Sequence, residues 1–311
     1  MRLIQFLLNC ANLKHDLAPS KRGTEDGFSL LEVLVASFIG LIVAMMCSNT
    51  ALVQRQLFSN DSVRTSLNQN LRGAADIIVS DGRVAGENLA AAFPAIEVVS
   101  GEELSQELIL RRNLLDAILN VCSNIQAGTS RSRIYIANSN TVSGCVRSEE
   151  ASKYNTWQNY RLAQEGQTAK AYIYNSGTKT GEFFTYSAEG ITSQDYWISA
   201  GDSGTWSSNY PANTSWIIIL EEWRYRKNGE MLQIIENGDI TQPFNLAFGI
   251  KNFTTKVVLQ DGSEQTLFSN ENNWTEIKRI ETVLSGEERS GKSLINKTIN
   301  AYFFPRNVLS H

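Results

Sequence analysis

The chain has 311 residues, of which 42% are hydrophobic and 19% charged, close to the composition of a soluble protein. A chain of this length can bury one sizeable core or two small ones. The formal net charge of −4 gives no indication of a nucleic-acid surface, so we expect no nucleic-acid partner. Four cysteines are too few for a disulfide scaffold but enough for one bridge.

Residues 1 to 27 precede a long apolar run and carry Arg2, Lys14, Lys21 and Arg22. Positive charges beside a membrane span favour the cytoplasmic side. We therefore expect this end of the chain in the cytoplasm.

The apolar run from Phe28 to Cys47 contains one charged residue, Glu32. About 20 residues of helix rise roughly 30 Å, which is the thickness of the hydrocarbon core of a bilayer. The run therefore predicts a transmembrane helix. Because a carboxylate in lipid costs at least about 2.5 kcal/mol, Glu32 requires pairing or protonation.

The stretch from Gly27 to Val33 has an aromatic residue directly after the glycine and Glu32 four residues further on. It resembles the processing site of type IV pilins and of the pseudopilins of type II secretion. The resemblance implies that prepilin peptidase removes residues 1–27 by cutting after Gly27, that Phe28 becomes the N-methylated mature terminus, and that Glu32 serves assembly. Its carboxylate would meet the new ammonium of a neighbouring subunit. The alternative is an ordinary membrane anchor with a stray glutamate.

After Cys47 the hydrophobic residues recur mostly four positions apart among polar residues, as in an amphipathic helix. The pattern predicts that the helix continues to about residue 80 and that Gly82, Gly86 and Pro94 end it. The apolar positions are Val53, Leu57, Val63, Leu67, Leu71, Ala75 and Ile78.

The stretch 67–72, followed by Asp81 to Gly86, is similar to a motif of the PilW-like minor pilins. The family pattern often continues into an aromatic residue and a cysteine, whereas this chain continues with 87–89, Glu-Asn-Leu. The alternative is that Asp81 and Arg83 only cap a helix end.

The remainder of the chain predicts a β-rich domain after one more helix, Glu102 to Leu119. The dipeptides Asn228-Gly229 and Asp261-Gly262 predict tight hairpins, and hence an antiparallel sheet. The C-terminal strands also resemble the sheet of PilW-like and related pseudopilin proteins. The predicted strands are Ile134–Ala137, Ala171–Asn175, Glu182–Ser187, Tyr196–Ser199, Trp216–Arg226, Met231–Glu236, Phe248–Leu259, Trp274–Leu284 and Ile295–Phe304.

The cysteines Cys122 and Cys145 lie in the part expected to be exported, where oxidising conditions permit a disulfide. We predict that they form a bridge that closes a loop of about 24 residues and stabilises the fold by about 3 kcal/mol. Cys47, at the membrane end of the helix, is expected to be a packing residue.

Catalysis finds little support in the sequence. The stretch from Gly286 to Ser293 fits the P-loop pattern, but a β-like segment follows it, so we predict a polar loop between two strands. The histidines are His15, in the expected leader, and the terminal His311, and no cysteine–histidine cluster has metal spacing. We therefore expect no catalytic residues, cofactor or metal, and we interpret adjacent carboxylates such as Glu221–Glu222 as solvated charge.

Several aromatic residues lie in a Ser-, Asn-, Thr- and Gly-rich segment that matches no family pattern. They allow two interpretations: a surface for a glycan or host ligand, or filling of a sheet core or a subunit interface. The residues are Tyr154, Trp157, Tyr160, Tyr196, Trp197, Trp206 and Tyr210.

Together, these features predict an α+β, type IV pilin-like fold in which a long N-terminal helix packs on a C-terminal antiparallel sheet domain. The predicted parts are a leader (1–27), the transmembrane half of the helix (28–47), its amphipathic half (48–82), and a β-rich domain (83–311) with an insert around 139–212.

The resemblance implies a structural minor pilin of the PilW type, incorporated into a type IV pilus or initiating it at the tip. Its partners would be prepilin peptidase, major and other minor pilins, and the inner-membrane assembly platform. Its location would be the bacterial inner membrane, with a periplasmic C-terminal domain, and then the pilus or pseudopilus and the cell surface. The alternatives are a J-type pseudopilin, a tip adhesin, and a membrane-anchored nucleotide-binding enzyme.

Overall fold

The computed structural model describes residues 29–101, 105–138, 144–291 and 293–310. Within these residues the helices are α1 (Leu30–Val84), α2 (Arg147–Ala163) and the short 3-10 helices Glu165–Gln167, Trp274–Glu276 and Arg306–Ser310. The strands are β1 (Ile96–Ser100), β2 (Gln106–Asn113), β3 (Leu119–Asn120), β4 (Arg133–Ala137), β5 (Ala169–Asn175), β6 (Thr180–Ile191), β7 (Tyr196–Ala200), β8 (Ser215–Ile218), β9 (Leu220–Asn228), β10 (Met231–Glu236), β11 (Phe244–Phe248), β12 (Ile250–Leu259), β13 (Glu264–Gln265), β14 (Ile277–Ser290) and β15 (Ser293–Phe303).

The strands form three antiparallel sheets. The first has the order β1-β2-β9-β10-β11, the second β13-β12-β14-β15 and the third β3-β8-β5-β6-β7-β4. The dipeptides at 228–229 and 261–262 connect antiparallel pairs, β9 with β10 and β12 with β13, so both predicted hairpins are confirmed. A long N-terminal helix with antiparallel sheets is the α+β class that the sequence predicts.

The chain divides into two compact units at Phe58 and Ser59. In the first unit, the described residues are Ser29 and the start of α1, and all of them are exposed. The second unit contains the rest of α1, helix α2 and all of the strands.

Inside the second unit, α1 packs through one stripe of side chains. Leu67, Leu71, Ala75 and Ile78 are all less than 5% exposed and belong to a core shared with the first and second sheets. These four residues follow the spacing that the sequence pattern predicts. Fully burying one leucine or isoleucine stabilises a fold by about 1.5–3 kcal/mol, so this stripe fixes the helix to the sheets.

Two glycines shape the end of α1. A side chain at Gly82 would place its Cβ 2.2 Å from the ring of Phe303, so only glycine permits this contact. Gly82 nevertheless lies within the helix, and the prediction that it ends the helix is wrong. Gly86 follows the last turn with a φ of +84°, which favours glycine, and a Cβ there would lie 2.5 Å from Trp274.

A second core lies between the third sheet and α2. Its largest fully buried side chains include Trp157 of α2, Phe184 and Tyr186 of β6, and Tyr210. The Nε1 atom of Trp157 donates a hydrogen bond to the carbonyl of Ala117 at 2.6 Å. Most of the predicted insert is therefore a folded layer with its own core.

The predicted helix Glu102–Leu119 is wrong. Residues 106–113 form β2, which pairs with β1 on one side and β9 on the other. Its leucines and arginines suit a helix, but the hydrogen bonds from two neighbouring strands override that local preference. Residues 102–104 lie outside the described residues.

The P-loop-like stretch is a hairpin rather than a loop. Residues 286–290 belong to β14, Gly291 turns the chain with a φ of +59°, and β15 begins at Ser293. Lys292 lies outside the described residues. Because β15 is a strand, the helix N-terminus that would hold a phosphate does not follow this stretch. The prediction of a polar loop is corrected to strand for most of its length.

Candidate functional site

The start of α1 is an exposed apolar helix. It is the helix among the described residues that is long and apolar enough to cross a membrane, and its most apolar window is 0% buried. Leu30, Phe38 and Met46 are 84%, 65% and 65% exposed. Apolar side chains exposed on every face of a helix suit lipid or other helices, because water would make this exposure costly.

Glu32 stands in the first turn of this helix. The Ser29 side chain accepts a hydrogen bond from the Leu31 amide at 3.2 Å, and the Ser29 carbonyl accepts one from the Glu32 amide at 2.9 Å. The Glu32 carboxylate is exposed among apolar neighbours, where it lies free for contact with another chain. Gly27 and Phe28, the predicted processing residues, lie outside the described residues.

The C-terminal end of α1 is held by polar contacts. The Asn307 side chain donates to the carbonyls of Val84 and Ala85, both at 3.1 Å, which satisfies carbonyls that a helix end leaves open. The Tyr225 hydroxyl donates to the Asp81 carboxylate. Asp81 therefore does more than cap the helix, because it joins α1 to β9 of the first sheet.

Burial raises the pKa of Asp81, and the hydrogen bond from Tyr225 only partly opposes this rise. Burial also raises the pKa of Tyr225, and the Asp81 carboxylate raises it further. Since the folded-state pKa of Asp81 lies above its ordinary value, this group favours the folded state more as the pH falls. The sequence identified Asp81 but gave no sign of its partner, which lies 144 residues later.

Cys122 and Cys145 are joined as a disulfide, with their Cα atoms 5.7 Å apart. The bridge ties the segment after β3 to the turn before α2, and both cysteines are buried. Cys47 is exposed on α1.

Replacing both Cys122 and Cys145 by alanine will lower the free energy of unfolding by about 3 kcal/mol, because the unfolded chain then regains the freedom of a loop of about 24 residues. Urea unfolding of the detergent-solubilised chain measures this loss. The matched control is Cys47→Ala, which removes an exposed, unbridged thiol and should change the unfolding midpoint little. Equal midpoints for the double variant and the parent would contradict the prediction.

The aromatic residues of the insert mostly fill the core. Tyr154, Trp157, Trp206 and Tyr210 are 5% exposed or less, and Tyr160, Tyr196 and Trp197 are half-buried. None of the seven presents an exposed ring for a flat ligand. The geometry favours the core interpretation over the glycan surface.

Glu189 anchors α2 to the third sheet. The Arg161 guanidinium donates to both of its oxygens at 2.6 and 2.7 Å, and the Tyr186 hydroxyl and the Gln158 amide donate at 2.6 and 2.9 Å. Burial alone would raise the pKa of Glu189, but these donors outweigh it and lower the pKa to about 2. We name these four residues the Glu189 cluster, and their hydrogen bonds hold α2 against the third sheet.

The Glu189 cluster makes stability pH-dependent. The folded-state pKa of Glu189 lies below the ordinary value of 4.5. The carboxylate therefore contributes to the free energy of unfolding above pH 4.5, and this contribution is lost as the pH falls toward 2. Glu189→Gln should cost about 2–3 kcal/mol at pH 7, and the difference from the parent should shrink as the pH falls. Urea unfolding at a series of pH values measures it. Glu165→Gln, at an exposed carboxylate just after α2, is the control, and a pH-independent difference would contradict the prediction.

The adjacent carboxylates Glu221 and Glu222 serve structure. Glu221 is partly exposed and pairs with Arg112 at 2.6 Å, whereas Glu222 is 3% exposed and pairs with Arg111 at 2.6 Å. The prediction of solvated charge is therefore wrong for Glu222. Among the described residues, no group of three or more His, Cys, Asp or Glu side chains is placed to hold a metal ion.

Comparison with known protein families identifies a motif at the start of the chain. Residues 22–48 match the model of the prokaryotic N-terminal methylation motif. No curated protein and no solved structure matches the chain. The motif contains Gly27, Phe28 and Glu32 and overlaps the exposed apolar start of α1. This combination supports a type IV pilin-like or pseudopilin protein that is anchored in a membrane by a single helix.

Proposed function

We propose that the chain is a minor pilin similar to the PilW type, which is incorporated into a type IV pilus or initiates its assembly at the tip. The observation that carries the proposal is the methylation motif at 22–48, which overlaps the start of an apolar helix with no buried residue in its membrane-length window. The same helix that anchors the chain in the inner membrane then packs against the helices of other pilins. The β-sheet unit is the exported part, and its role is structural.

The buried character of the second unit supports a structural role. Its polar clusters around Arg111 and Glu189 are paired internally, and its large aromatic residues fill cores. The segment with a P-loop-like pattern is a hairpin. The exposed half of α1 is then a part of the molecule whose chemistry calls for a partner.

The experiment that tests the proposal is the amino-terminal residue and mass of the mature chain, purified from cells with and without prepilin peptidase. We expect an N-methylated Phe28 only when the peptidase is present. An intact Met1, or a cut at another residue, would overturn the proposal. Immunodetection of the chain in sheared surface filaments, compared with a secretion assay in a deletion strain, separates the pilus from the J-type pseudopilin alternative.

A further inference from the structure

Two grooves flank α1 in the second unit. Successive residues of a helix are 100° apart around its axis. Arg64, Asn68 and Arg72 therefore lie on one side of the buried stripe of α1. Ser66, Gln69 and Asn70 lie on the other side. The first groove, of about 800 Å³, runs between α1 and the start of β15. We name it the basic groove, and the residues that define it are Asn60, Arg64, Asn68, Arg72, Asn296 and Lys297.

The second groove, of about 780 Å³, runs between α1, the β9–β10 turn, the end of β11 and the β14–β15 hairpin. We name it the acidic groove, and the residues that define it are Gln69, Asn70, Glu230, Phe248, Glu287 and Glu288. Its shape is fixed by hydrogen bonds. Asn70 donates to the Phe248 carbonyl at 2.7 Å, and the Glu287 amide donates to the Gly249 carbonyl at 2.8 Å.

The charges in the two grooves are of opposite sign and are not neutralised. The basic groove has three cations and no carboxylate among its lining residues, and the acidic groove has three carboxylates with Arg289 as its cation. Within the part of the chain that the structure describes, none of these seven side chains forms an ion pair. Six of the seven are exposed, and Glu287 is half-buried.

We propose that the acidic groove of one copy of this chain docks against the basic groove of a second copy. The complementary charges steer and align the two surfaces, which is the usual contribution of charge to an interface. Phe248 and Leu294 supply apolar contact area, since they are 57% and 51% exposed at the rims of the grooves. Leu294 borders both grooves, so it is buried whichever side of the molecule is docked.

The contact runs head to tail. Because the grooves lie on opposite flanks of one helix, a copy that docks through its basic groove leaves its own acidic groove free for the next copy. Such a heterologous contact generates a continuing row rather than a closed pair. The inference rests on the proposed function, in the form in which several copies are incorporated into one pilus and not a single copy that initiates it at the tip, and extends it by naming a second copy as the neighbour.

Charge reversal tests the proposal in the full-length chain. Two copies with different tags are expressed together, and recovery of the second tag is measured after mild detergent solubilisation. Arg64→Glu with Arg72→Glu, or Glu287→Lys with Glu288→Lys, should each lower recovery at least about tenfold. The four substitutions together exchange the signs of both grooves and should restore recovery to within about threefold of the parent.

The combined variant is the decisive arm, because restoration requires that both grooves meet each other. A different protein seated in either groove would leave the combined variant as defective as the others, and this outcome would overturn the proposal. Unchanged recovery in both double variants would overturn it as well. Arg83→Glu with Lys278→Glu is the matched control, since both are exposed cations outside the grooves, and thermal unfolding checks that every variant is folded.

Determining the amino-terminal residue of the mature chain distinguishes failure of the docking proposal from failure of the proposed function. If the mature chain begins at Phe28 and parent copies are recovered together, but charge reversal has no effect, then only the docking of the two grooves is wrong. If Met1 is retained and the parent copies are not recovered together, the proposed assembly fails, and the docking that rests on it fails too.

Discussion

Replacing Glu32 by alanine should leave cleavage after Gly27 intact and lower incorporation into filaments at least about tenfold, because an unpaired buried charge costs several kcal/mol. The proposed cleavage creates an ammonium at Phe28, which must enter a bundle of apolar helices during assembly. Glu32 is the acidic side chain in the first turn of α1 and is exposed for contact with a neighbouring chain. The amount of chain in sheared filaments, relative to the amount in the membrane, measures the effect.

Two further variants separate charge from packing. Glu32→Gln keeps the size and polarity of the side chain, so it should be as defective as alanine if the charge matters. Ser37→Ala is the control within the same apolar segment, because the Ser37 hydroxyl donates a hydrogen bond to the Val33 carbonyl of its own helix at 2.7 Å. Normal incorporation of Glu32→Gln would show that the carboxylate pairs with no ammonium during assembly.

The parts of the fold that depend on local pattern could be predicted from the sequence. The long helix follows from an apolar run joined to an amphipathic stripe, and the stripe from Leu67 to Ile78 is buried as the spacing indicates. The hairpins at Gly229 and Gly262 follow from turn chemistry, because both glycines adopt a positive φ. These signals need only a few neighbouring residues.

The parts that depend on distant partners could not be predicted in the same way. The sequence of α2 does not show a clear apolar face. Tyr154 and Trp157 have helical spacing, but the other two buried residues of this helix are the charged Glu150 and Arg161. Arg161 is buried because Glu189 meets it from another element. The two grooves are a further case, since Arg72 and Lys297 line one site across 225 residues of sequence.

The second large effect concerns Arg111, whose side chain is 8% exposed. Its guanidinium donates to Glu222 and to the Pro94 carbonyl, both at 2.6 Å, and also pairs with Glu97. These contacts join β2 with β9 and with the segment before β1. The Arg111 carbonyl also accepts from the Gly86 amide at 2.8 Å, so the network lies directly behind the end of α1.

Arg111→Met should lower the free energy of unfolding by about 3–5 kcal/mol, because it removes the cation that pairs with the buried Glu222 and the half-buried Glu97 and leaves Glu222 with the longer contact to Arg224 at 3.7 Å. Urea unfolding of the detergent-solubilised chain gives the value. Arg112→Met is the matched control on the adjacent residue, where the pair with Glu221 is 27–28% exposed and should contribute about 1 kcal/mol or less. Adding Glu222→Leu to Arg111→Met should recover part of the lost stability, since the buried carboxylate that lost its 2.6 Å partner is then gone. If the double variant is no more stable than Arg111→Met, the cost comes from lost packing and not from buried charge.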